Sequence, residues 1–76
     1  MSGTAPISWK KFDKFLLHVG CQLDREKGDH RIYYKVGIHR PIVVPKKNPI
    51  PVFVVKANLR TLGITPEDYV EILRNL

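Results

Sequence analysis

The sequence predicts a small α+β domain: a three-stranded antiparallel sheet with helices packed on one face, in the order α-β-β-β-α-α. Three observations lead there. Apolar residues first recur at helical spacing, then alternate with polar ones through the middle of the chain, and return to helical spacing after a proline-rich loop. Glycines and prolines fall where the period changes. A chain of 76 residues has room for one core only.

The first helix is expected over residues 9–19, where Trp9, Phe12, Phe15, Leu16 and Val19 form an apolar stripe. Ser8 offers an N-cap oxygen, Ile7 and Phe12 are placed for a hydrophobic staple, and Gly20 ends the helix. "CQLDRE" (21–26) then alternates as a half-buried strand, with Cys21 and Leu23 on one side. "KGD" reads as a turn. "HRIYYKV" (30–36) alternates again, placing Ile32, Tyr34 and Val36 on one face and Arg31, Tyr33 and Lys35 on the other. "GIHR" turns the chain, and "PIVVP" (41–45) is a third strand bounded by prolines.

After "KKNPIP", Pro51 suits the first turn of a second helix that ends at Gly63, with Val55, Leu59 and Leu62 at helical spacing. In "TPEDYVEILRNL" Thr65 is the cap, Pro66 takes the first position and Asp68 can close a capping box. Tyr69, Ile72, Leu73 and Leu76 are its expected buried stripe. Residues 1–6 read as a flexible tail and 7–76 as a single domain.

Thirteen Lys and Arg against seven Asp and Glu leave a formal charge of +6, which favours a polyanionic partner such as nucleic acid. The single cysteine excludes an internal disulfide framework and fits a reducing cytoplasm. Its apolar alternation makes Cys21 a core residue rather than a nucleophile. With one cysteine and with His18, His30 and His39 scattered, no structural zinc site is expected, nor any cofactor. No apolar run reaches membrane-spanning length, so no membrane role is expected.

The basic charge gathers over residues 25–47, where Arg25, Lys27, Arg31, Lys35, Arg40, Lys46 and Lys47 face only Glu26 and Asp29. His30 lies in that field. A histidine can take a proton from a nucleophile or give one to a leaving oxygen, and nearby cations stabilise charge developing on a phosphate. RNA brings its own nucleophile, the 2′-hydroxyl. A solvated turn histidine is the plainer reading of the same residue. His18 reads as a helix-end cation and His39 as a turn residue or a helper of His30. Tyr33 with Arg31 and Lys35 is either a stacking and phosphate-binding face or a solvated sheet face. Ser8 and Thr65 have capping duties, which leaves no good serine for a hydrolase triad.

The stretches "SWKKFDKFLLHVGCQLDREKGDH", "VVP" and "LRTLGITPEDYVEIL" resemble the HicA family of toxin ribonucleases over about residues 7–73. Arg25, Gly28 and His30 fall in register with the family's arginine-glycine-histidine pattern, Val44-Pro45 with its Val-Pro, and Leu59, Gly63 and Ile64 with its helix end. The resemblance implies a fold similar to the double-stranded-RNA-binding domain. It also implies mRNA cleavage with His30 as the catalytic residue, and a HicB-type antitoxin as partner. Asp29 replaces the family's serine, Lys46-Lys47 stand where many members have a second histidine, and Phe53-Val54-Val55 replace a Gly-Thr-Leu helix opening.

The expectation is thus a metal-independent endoribonuclease using His30 as general acid or base. Arg25, Lys27, Arg31, Tyr33, Lys35, Lys46 and Lys47 are the candidate RNA contacts. The alternative is a non-catalytic RNA-binding module of the same fold. A third reading is a protein-interaction domain that docks an acidic partner.

Overall fold

In the computed structural model, which describes residues 5–76, the order is α1 (Trp9–His18), β1 (Gln22–Lys27), β2 (His30–Lys35), β3 (Ile38–Pro45), α2 (Val52–Leu62) and α3 (Pro66–Arg74). This is the expected α+β order. Of the tail expected over residues 1–6, all but Ala5 and Pro6 lies outside the described residues. The local signals act as anticipated at α1 and α3. Ser8 Oγ accepts the Lys11 N–H at 3.2 Å, and Thr65 Oγ1 accepts that of Asp68 at 3.1 Å. Ile7 and Phe12 are both buried beside the α1 cap. Pro51 precedes α2 as an N-cap that makes no side-chain hydrogen bond. On α3 Tyr69 is buried, Ile72 and Leu73 pack against the core, and Leu76 is exposed beyond the helix end.

The strands form one antiparallel sheet in the order β1-β2-β3. β3 begins earlier than expected, so His39 and Arg40 belong to the strand and the turn is Val36-Gly37. The core lies between the sheet and the helices. α1 contributes Phe12, Phe15 and Leu16, the sheet Tyr33, Ile42 and Val44, α2 Val55, Leu59 and Leu62, and α3 Tyr69. The Phe15 and Tyr69 rings meet edge to face with centroids 4.8 Å apart. Asn58, also buried, donates from Nδ2 to the Val43 carbonyl at 3.2 Å and ties α2 to β3.

Two features of the sheet differ from the expectation. The helices cover the face that bears Tyr33, not the one that bears Tyr34 and Val36. Tyr33 is fully buried, whereas Tyr34 and Val36 are 44% and 85% exposed. The Tyr33 hydroxyl bonds to Asp13 on α1, so its ring fills the core with the polar end satisfied. Its register partner Ile42, and Val44 opposite Arg31, are buried with it, because side chains of a strand change face as a set.

The second feature is a bulge in β1. Leu23 pairs with Tyr33 but Arg25 with Ile32, which leaves Asp24 as an extra residue. The extra residue reverses the alternation. Leu23 therefore shares the Tyr33 face, while Arg25 and Lys27 come to the open face with Ile32 and His30.

Candidate functional site

The β1–β2 corner is a two-residue turn, Gly28-Asp29. Gly28 has φ 61°, the left-handed value that a type II′ turn asks of its first central residue. His30 opens β2 immediately after it, with Lys27 as its register partner on one side and Pro45 on the other. The Lys46 N–H donates to the Asp29 carbonyl at 2.8 Å, which holds the Lys46-Lys47 segment against the corner. The His30 side chain is half-exposed, with its Nδ1 3.0 Å from Asp29 Oδ1. Asp29 thus faces Nδ1, and Nε2 is the ring nitrogen that this carboxylate leaves unengaged. Among the described residues, Lys27 and Lys47 make no ion pair, and both are exposed.

Behind the corner lies a polar network that joins α1 to the sheet. Arg31, only 16% exposed, donates to Glu26, to Tyr33 Oη at 2.9 Å and to Asp13 at 3.3 Å. Lys46 Nζ reaches Glu26 Oε1 at 3.0 Å. The Lys46 hydrogen bond, with the Arg31 charge behind it, holds the Glu26 carboxyl below its usual range. Burial and the Asp13 hydrogen bond push the Tyr33 hydroxyl up to about 12. The Trp9 indole completes the group. Arg31 lies 5.3 Å from its ring centroid, and the Lys10 and Lys46 ammonium groups each lie 5.9 Å from it.

The candidate residues divide accordingly. Lys27 and His30 face each other as register partners, Lys47 follows in the segment held at the corner, and Arg25 stands on the same open face, paired with its neighbour Asp24. Lys46 is at the corner but neutralised by Glu26. Tyr33 is no stacking platform, because its ring is in the core. Arg31 points into the same interior and is held by two carboxylates. Lys35 closes the far end of β2, about 16 Å along the strand from His30, where its stem packs beside Gly20. His39 is also at that far end, near the Lys35–Ile38 pair, and does not assist His30. Cys21 is buried, and burial raises its thiol above the ordinary value, as suits a core residue.

Sequence reasoning missed Asp13, Glu26 and Trp9 as organisers of the corner. One signal was present. Asp13 is the sole acid of α1 and follows Trp9 by one helical turn, so it lies on the flank of the apolar stripe. Glu26 carried no such mark, because its role depends on the bulge.

A small basic α+β domain with one histidine at a cationic hairpin corner is the class that fold and site define. The family model described as "HicA toxin of bacterial toxin-antitoxin" matches residues 9–64. That stretch is most of the chain and runs from α1 through α2; the chain belongs to the HicA toxin family. It is thereby the toxin member of a toxin–antitoxin pair, with a cognate antitoxin as partner. No curated protein and no solved structure gives a match. No helix among the described residues is long and apolar enough to cross a membrane.

Proposed function

We propose that the protein is a metal-independent endoribonuclease acting on mRNA, with His30 as its catalytic residue and a HicB-type protein as its antitoxin. The observation that supports this most is the His30 corner itself: an exposed imidazole with Asp29 3.0 Å from Nδ1 and with Lys27, free of ion pairs, as its register partner. In this reading the RNA 2′-oxygen attacks the adjacent phosphorus and the bond to the 5′-oxygen breaks. The imidazole Nε2 takes the 2′-hydroxyl proton, or as imidazolium returns one to the departing 5′-oxygen. Lys27 and Lys47 offset the charge that builds on the phosphoryl oxygens. The sequence of events uses only the substrate hydroxyl and the side chains of the corner.

The test is cleavage of a labelled mRNA in EDTA by the wild type and by His30→Ala. The expected result is scission by the wild type and a loss of at least about 100-fold in the variant, with an unchanged circular-dichroism melt. A variant that cuts at the wild-type rate refutes the assignment. One observation favours the second reading, a binding module without scission: Lys47 stands where the family often has a second histidine, and Lys46 is neutralised by Glu26. On that reading both proteins bind RNA and neither cuts it.

A further inference from the structure

The α1 helix carries charge that its own stability does not explain. Lys10 and Lys11 occupy its first turn, where the helix dipole disfavours cations, and that turn holds no acid. The only acid of the helix, Asp13, is turned inward and bound by Arg31 and Tyr33, so it neutralises none of the lysines. Lys10, Lys11 and Lys14 line one groove of about 380 Å³ together with Ser8 and Leu76. Among the described residues none of the three lysines makes an ion pair.

This groove is joined to the His30 corner through Trp9. Lys10 and Lys46 each lie 5.9 Å from the indole centroid, so their ammonium groups are no further apart than twice that distance. Lys46 in turn is hydrogen-bonded through its backbone to Asp29, next to His30. The free Lys14 and Lys10 of α1 thus lead by way of the Trp9 ring to the Lys46-Lys47 segment, in which Lys46 is paired with Glu26 and Lys47 makes no ion pair among the described residues. Unpaired lysines in a groove that adjoins a partly exposed aromatic ring match a single nucleic-acid strand, whose phosphates repeat and whose bases present π-faces. Resting on the RNA reading above, we propose that Lys10 and Lys14 form a second phosphate-binding strip, which holds the RNA strand several nucleotides from the phosphate at His30. The strip adds affinity and length dependence and takes no part in the chemistry.

The test pairs Lys10→Gln/Lys14→Gln with Lys56→Gln/Arg60→Gln, which removes the same charge from the exposed side of α2. All binding is measured in the His30→Ala background, with fluorescein-labelled single-stranded RNAs of about four and about sixteen nucleotides, across a salt series. The Lys10/Lys14 variant is expected to bind the longer RNA about tenfold more weakly, with its log–log salt slope shallower by about 0.7 per lysine lost. The short RNA is held as before, and the α2 variant keeps most of the affinity for both. An equal loss in the two variants reduces the effect to net charge and overturns the strip, as does an unchanged affinity for the longer RNA.

Cleavage with His30 restored separates this inference from the ribonuclease reading. A strip variant with raised KM on long RNA and unaltered kcat supports the strip. Cleavage with KM unmoved overturns the strip and leaves the ribonuclease standing. If no protein cuts RNA, the binding series alone decides. Retention of RNA affinity with loss of antitoxin binding would give the strip to the protein partner and end the proposal.

Discussion

Helices α1 and α3 begin with the same device and then diverge. Each is capped by a hydroxyl, from Ser8 and from Thr65. α3 continues with Pro66, places Glu67 and Asp68 in its first turn and Arg74 in its last, all in agreement with the dipole, and Arg74 lies 3.4 Å from the one acid nearer the C-terminus, Glu71. α1 puts Lys10 and Lys11 in the first turn and has no acid there. Exposed charges at these positions are worth about 0.3–1 kcal/mol each, favourable in α3 and unfavourable in α1.

The tyrosines beneath the two helices differ in a parallel way. Tyr33, under α1, has its hydroxyl bonded by Asp13 and Arg31. Tyr69, on α3, buries a hydroxyl with no hydrogen-bond partner among the described residues. α3 therefore meets the core by apolar packing alone, while α1 adds polar bonds to the sheet beside its buried Phe12, Phe15 and Leu16 and leaves its lysines on the surface. The contrast sets a helix whose first-turn charges suit its dipole beside one whose first-turn lysines do not, and the proposed RNA strip accounts for the second.

The sharpest way to break this comparison is to delete the two hydroxyls. Tyr33→Phe takes one hydrogen-bond partner from each of the part-buried Asp13 and Arg31 and is expected to lose about 1–3 kcal/mol in a urea melt. Tyr69→Phe removes an unpartnered buried group and is expected to be neutral or stabilising. Equal losses would mean that the Tyr33 network contributes nothing beyond ring packing.

Alkaline titration gives a second view of the same pair. Burial holds both hydroxyls neutral and raises each from 10.0 to about 12, with the Asp13 hydrogen bond adding to the effect at Tyr33. In the unfolded chain they ionise near the ordinary value. The folded state thus keeps its protons longer, and its stability is intact below pH 10 and declines as pH rises toward about 12. Each Tyr→Phe variant should remove part of that decline. A wild-type melting temperature that stays level over this window would contradict the burial of these groups as neutral phenols.

The smallest effect concerns the dipole. Lys11→Glu should stabilise the fold by about 0.3–1 kcal/mol, read as a higher urea midpoint at low salt. Loss of stability would show that the α1 lysines are held by a structural interaction rather than left for a ligand.

Much of this architecture was legible in the sequence because it is local. Ser8, Gly20, Thr65 and Pro66 mark helix ends through hydrogen bonds and dihedral limits that span a few residues. Gly28 likewise marks the corner that presents His30. The choice of sheet face was not legible in this way. The alternation of "HRIYYKV" sets the apolar Ile32, Tyr34 and Val36 against Arg31, Tyr33 and Lys35, and the second set can face inward where Asp13 and Glu26, from other elements, satisfy the Tyr33 hydroxyl and the Arg31 guanidinium.

The candidate site shows the same division. That a histidine would sit among cations at a hairpin corner followed from Arg25, Gly28, His30 and the spacing around them. Which of those cations are free did not follow. Arg31 and Lys46 look identical to Lys27 and Lys47 when only their place in the sequence is considered. The bulge at Asp24 turns Glu26 toward Arg31 and Lys46, and sends Lys27 to the side of His30.

By itself, then, the sequence determined the element order, the caps, the turns and the position of His30 at a corner, because each depends on interactions between near neighbours. Only the tertiary structure decided which face of the sheet is buried, which cations are neutralised and how Trp9 joins α1 to the corner. Those outcomes depend on pairs brought together from separate elements, where one bulged residue is enough to exchange a buried side chain for an exposed one.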